Sequence, residues 1–180
     1  MILSTLDAIA QEMSEYFRSS YSDKAPEVTI SNLVNSEGKS AIDENTDQIV
    51  ITLINIQEER NVSNGRTSNL SAPYYTNLYL LFSSFAGKES KYTDSLRYIS
   101  SVLSFFQHNH VLTHQNSKLP SEISQLVFDF INHETQQVQY IWSMLGAKYS
   151  PSVIFRARLV PIQEQGTVGS FPRIGGTLDF

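Results

Sequence analysis
The stretch WSMLGAKYSPSVIFRAR, residues 142–158, decides the reading of this chain. Its first part closes an apolar-periodic helix at Gly146, since glycine takes the backbone that ends a helix more readily than other residues do. Tyr149, Ser150 and Pro151 then make a turn, and the residues that follow alternate apolar and polar as a strand does. Val153, Phe155, Ala157 and Leu159 fall on one face of that strand, and Ile154, Arg156, Arg158 and Val160 on the other. The stretch holds no nucleophile, phosphate cradle or metal cage. It reads as scaffold that must fit another surface.

Working upstream, residues 134–145 carry Val138, Ile141, Trp142 and Leu145 at helical spacing. Residues 122–131 alternate, with Leu126, Phe128 and Phe130 against Gln125, Val127 and Asp129. Tyr92, Leu96, Ile99, Leu103 and Phe106 predict a helix over 92–107 with that stripe on the core, and residues 109–121 read as a connector. IVITLINI, residues 49–56, is β-branched and apolar on both faces, the mark of a central strand covered on two sides. The aromatic-rich residues 74–85 pair with it as a long ribbon, joined through a polar loop, 61–73, that holds the turn signal Asn64-Gly65. Leu3, Leu6, Ile9, Ala10, Met13 and Phe17 make one stripe of a helix over 2–18, and residues 28–34 make a short strand. The order α-β-β-β-α-β-α-β predicts an α+β fold: one mostly antiparallel or mixed sheet flanked by helices.

The chain has 180 residues, enough for one domain with a sizeable core. Its net charge of −5 and scattered basic residues exclude a basic nucleic-acid footprint. With no cysteine, thiol catalysis, thiolate metal sites and disulfides are ruled out. No stretch is apolar enough for a membrane helix, and residues 1–7 lack the basic and apolar regions of a signal peptide, so a cytoplasmic origin is expected.

Candidate chemistry is sparse. His108, His110 and His114 lie close in sequence, and His108-x-His110 with a third ligand would suit a metal. No H-E-x-x-H pattern supports it, and exposed loop histidines are the expected reading. Glu58 and Glu59 are adjacent on a strand, so they point to opposite faces and make no acid/base dyad. There is no G-x-S-x-G elbow, and Gly175-Gly176 lacks the residues of a phosphate loop. No catalytic, cofactor or metal residues are therefore assigned. Arg156 and Arg158 are expected to contact an acidic patch on a neighbouring subunit. Residues 163–180 are rich in glycine yet carry Phe171, Ile174, Leu178 and Phe180, which suggests an arm that docks on another surface.

The amphipathic N-terminal helix, LINIQEER (residues 53–60), LYLLF (78–82), SFFQHNHVLTH (104–114) and the 142–158 stretch together resemble the N-terminal domain of tube-cap, or tail-terminator, proteins of contractile injection systems. These are phage-tail-like particles of the virulence-cassette and antifeeding-prophage type. The resemblance runs from residue 1 to about 163. It implies a tail-terminator fold and a hexameric ring that ends the inner tube and joins it to the sheath, with no catalytic residues and no cofactor. Expected partners are sibling copies, the inner-tube protein and the sheath protein, without nucleic acid or membrane insertion. The particle would be assembled in the cytoplasm.

The expected organisation is a cap domain over residues 1–163 and an extended arm over 164–180. Interface candidates are Arg60, Asn64 and Arg66 around the 61–73 loop, Arg156 and Arg158, and Phe171, Ile174, Leu178 and Phe180 in the arm. The arm is expected to add a strand to a neighbour's sheet edge. The competing expectation is a soluble adaptor or assembly chaperone that binds a partner peptide by β-augmentation.

Overall fold
The computed structural model describes residues 1–59 and 75–161. Helix α1 (Ile2–Tyr21) leads through a short 3₁₀ turn (Ser22–Lys24) to strand β1 (Glu27–Ile30). Strands β2 (Gln48–Glu58) and β3 (Thr76–Phe85) follow, then helix α2 (Tyr92–His108). Strands β4 (Val111–Thr113) and β5 (Ile123–Phe130), helix α3 (Thr135–Leu145) and strand β6 (Ser152–Pro161) complete the described chain. The six strands form one mixed sheet in the order β1-β2-β3-β6-β5-β4. Only β1–β2 is parallel; the other neighbours are antiparallel. This is the α+β layout expected from the sequence. The β2–β3 ribbon runs from Gln48↔Phe85 to Glu58↔Thr76, with a bulge between Leu53 and Asn55.

Each sheet face has its own apolar cluster. On one face α1 and α2 pack Ile9, Met13, Phe17, Val102 and Phe106 onto Ile49, Ile51, Leu80, Phe82 and Phe155. The Phe106 ring lies 4.2 Å from Phe155 and 4.7 Å from Phe128, centroid to centroid. On the other face Trp142, Val138, Ile141 and Leu145 of α3, together with Leu33, cover Val50, Leu81 and Ile154. Gly146 ends α3 at φ 67°, in the left-handed region that favours glycine. The apolar and arginine faces of β6 are therefore those its alternation predicted.

Four expectations need correction. The stripe that α2 buries is Ser95, Tyr98, Val102, Phe105 and Phe106, while Tyr92 and Leu96 are exposed. The helix is turned because Tyr98 is fixed by long-range partners: its hydroxyl donates to Asp47 at 2.8 Å and its ring meets Phe17 and Tyr21 edge-on. Leu3 is exposed although Leu6, Ile9, Met13 and Phe17 on the same stripe are buried. Strand β2 is covered on both faces only in its first half, and Ile56, opposite Leu78 on the α1–α2 face, is exposed. The 109–121 connector holds β4, which pairs Leu112 with Leu126 on the sheet edge.

Asp47 ties three elements together. Its carboxylate accepts the Gly87 N–H at 2.7 Å, the Ser90 hydroxyl at 2.9 Å and the Tyr98 hydroxyl at 2.8 Å. Gly87 makes this approach close, since a Cβ there would lie 3.1 Å from the backbone of Asn45 and Thr46, a tight contact that would require a small shift. Burial is the largest influence on Asp47 and pushes its pKa up, but the three donors together outweigh it and hold the carboxyl below its ordinary 3.8. Burial, and then Asp47 itself, push the Tyr98 phenol up.

A depressed carboxyl pKa contributes stability that is fully present above the unfolded value. The contribution is lost as the pH falls from about 3.8 through the lower folded value. Asp47→Asn should therefore flatten the acid limb of the melting-temperature profile, and Asp47→Ala should cost about 2–3 kcal/mol at neutral pH by urea unfolding. An unchanged acid limb in the asparagine variant would show that Asp47 does not hold this corner.

Candidate functional site
The α3 side of the sheet is divided. The half nearest α3 is apolar. The other half carries Gln57 of β2, Asn77 and Tyr79 of β3, Arg156 and Arg158 of β6, and Asp129 of β5, with Glu59 just past the end of β2. These residues share one face by parity, and the register brings them together: Asp129 is opposite Arg156, which is opposite Tyr79, and Asn77 is opposite Arg158.

The arginines meet acids of their own chain. Arg156 donates to Asp129 Oδ2 through Nη2 at 2.8 Å and Nε at 3.2 Å. Arg158 Nη2 reaches the same oxygen at 3.3 Å, and Arg158 Nε lies 3.9 Å from Glu59 Oε2. Asn77 donates to Glu59 at 3.0 Å, and the Tyr79 hydroxyl donates to Gln57 at 3.0 Å. The hydrogen bond that Arg156 donates to Asp129 is the chief reason that its guanidinium is held above its ordinary range. Two positive and two negative charges balance, leaving a face of part-buried donors and acceptors. The sequence does not single out Asp129 as a site residue, and it shows Glu59 only as one of two adjacent carboxylates that make no dyad. Asp129 shows the outward parity of β5, but its pairing with Arg156 depends on β6 lying beside β5, which sequence spacing does not encode.

Other candidates separate. His108 Nδ1 lies 2.7 Å from the Ser104 carbonyl and His114 Nε2 lies 2.8 Å from the Ile123 carbonyl, so each is held by backbone. No group of three or more His, Asp or Glu side chains converges as a metal cage among the described residues. Glu59 lies on the arginine face, where it serves charge balance. Arg60, Asn64 and Arg66, and Phe171, Ile174, Leu178 and Phe180, lie outside the described residues. No described helix is long and apolar enough to cross a membrane.

Residues 4–174 match the family described as the Pvc16 N-terminal domain. No curated protein sequence matches the chain. Among solved structures, the fold is similar to the PVC sheath/tube terminator of an extracellular contractile injection system in its extended state. That match has a TM-score of 0.60 at 11% identity over 100% of this chain and 64% of that one. It is also similar to the tube-terminating cap of the anti-feeding prophage, with a TM-score of 0.54 at 13% identity over 94% of this chain and 60% of that one. The chain thus spans about 64% and 60% of the lengths of the two structures it resembles.

Removing the acid between the two arginines leaves like charges side by side on adjacent outward positions of β6. Asp129→Ala should lower stability by about 1 kcal/mol, the scale of a part-exposed ion pair. The loss should shrink in high salt, because screening weakens both the lost attraction and the new repulsion. Urea unfolding at two ionic strengths checks this, and a loss independent of salt would assign the effect to packing.

Proposed function
The chain belongs to the Pvc16 N-terminal domain family, and from that premise we propose that it is a structural terminator of a contractile injection system. Six copies form a ring that ends the inner tube and joins it to the sheath. The observation that carries the reading is the match of the whole chain to the fold of a sheath/tube terminator. The site chemistry agrees with it. The polar half-face is charge-balanced, which suits a surface that docks and does not suit one that must move protons.

The proposed contact regions are the 61–73 loop with Arg60, Asn64 and Arg66, the strand bearing Arg156 and Arg158, and the arm with Phe171, Ile174, Leu178 and Phe180. The partners are sibling copies, the inner-tube protein and the sheath protein. The role needs no catalysis, cofactor, nucleic acid or membrane insertion. Assembly in the cytoplasm precedes incorporation into the particle.

Binding of a peptide to a sheet edge is supported less well. The edge strands β1 and β4 have four and three residues, and short edges blunt strand addition. Where β2 extends past β1, the Ile56 N–H is already taken by the Asn55 side chain at 2.8 Å.

Mixing the purified chain with inner-tube protein should give a six-copy ring on tube ends, visible by electron microscopy and native mass measurement. Small soluble complexes with bare tube ends would sink the terminator reading. Deleting residues 164–180 should leave a folded domain, judged by circular dichroism, and reduce capping. Particles of normal length with the sheath attached would show that the arm is dispensable.

A further inference from the structure
An open sheet ends in two borders, and each offers backbone N–H and C=O groups to any strand that comes near. Here one border is β4. The other is β1 together with the part of β2 that runs past it, since β1 pairs with β2 only from Gln48 to Ile51 while β2 continues to Glu58.

The ladder fixes which way the backbone of β4 points. The His110 carbonyl accepts the Phe128 N–H at 2.9 Å, so the backbone groups of His110 and, by alternation, of Leu112 face β5. Those of Val111 and Thr113 face outward. The Asn116 side chain lies along that outer side. Its Nδ2 donates to the Val111 carbonyl at 3.2 Å, and its Oδ1 accepts the Thr113 N–H at 2.6 Å. A strand laid beside Leu112 would need those same two groups, whichever direction it ran. The Thr113 carbonyl is taken too, by the N–H groups of Asn116 at 3.1 Å and Ser117 at 2.9 Å and by the Ser117 hydroxyl at 2.9 Å. One side-chain amide thus stands where the backbone of an added strand would stand.

The opposite border repeats the device. The Glu59 N–H donates to the Tyr75 carbonyl at 2.7 Å, so the backbone of Glu59 faces β3. Counting back along the strand, that of Gln57 also faces β3 and that of Ile56 faces away. The Ile56 N–H is held by Asn55 Oδ1 at 2.8 Å. Asn55 sits at the bulge of β2, where the ladder is already broken.

We propose that Asn116 and Asn55 are stoppers that keep copies of this chain from joining sheet to sheet. Without them, β4 of one copy and the free part of β2 of the next are complementary borders. Pairing of that kind is head-to-tail, and head-to-tail contacts that do not close on themselves grow without limit. The stoppers leave other surfaces to decide which contacts form between copies. This stands apart from the terminator reading, and tube capping plays no part in its test.

The test compares the full-length wild type with Asn55→Ala, Asn116→Ala and the double variant. Circular dichroism checks the fold, and sedimentation velocity follows size up to about 1 mM protein, the weak end of specific binding. The double variant should associate about tenfold more tightly than wild type or better, the worth of one or two net hydrogen bonds, and should keep growing with concentration. Each single variant, with one border still closed, should not grow in this open-ended way. A double variant that matches wild type at every concentration overturns the proposal. So does growth that survives the addition of Thr113→Pro, which removes the outward N–H of β4 and is tolerated at a sheet border. Should the alanine variants fail to fold, hydrogen exchange of the wild type decides. The Thr113 and Ile56 amides should exchange about tenfold more slowly than unprotected amides or slower still, and unprotected rates at both would show that no stopper is in place.

Discussion
A mismatch of lengths governs this structure. Strand β3 has ten residues, a span of about 33 Å. On one face it is matched by α1, whose twenty residues span about 30 Å, and by α2, whose seventeen span about 26 Å. On the other face α3 has eleven residues and spans only about 16 Å. One face is therefore a continuous aromatic core, and the other is covered for half its length and bare for the rest. The bare half must carry polar side chains, and it does.

Those polar side chains are arranged to cancel. Asp129 lies between Arg156 and Arg158, Glu59 approaches Arg158, and Asn77 holds Glu59. The charges of this face balance, but Asn77 Oδ1 and Arg158 Nε have no hydrogen-bond partner among the described residues. Where the cover of α3 ends, the boundary leaves an apolar pocket with two unmet polar atoms beside it.

Much of this was legible in the sequence, and the places where it was not share one cause. The faces of β6 could be read because alternation places side chains without reference to anything distant. Val138, Ile141, Trp142 and Leu145 of α3 pack inward as their spacing predicts. The rotation of α2 could not be read, since Tyr92, Leu96 and Phe106 make as regular a stripe as Ser95, Tyr98, Val102 and Phe105. Asp47, 51 residues before Tyr98, decides between them. The arginine pair was visible, but its counter-charge, 27 residues earlier on β5, was not.

The sequence by itself determined the elements, their order and which side chains share a face, because these depend on backbone periodicity and on local signals such as Gly146. Tertiary structure alone decided which strands are neighbours, how α2 is turned, where the cover of the second face ends, and which charges meet. Those outcomes depend on contacts between residues far apart in the chain. Their energies appear only once the sheet order β1-β2-β3-β6-β5-β4 has brought the residues within reach.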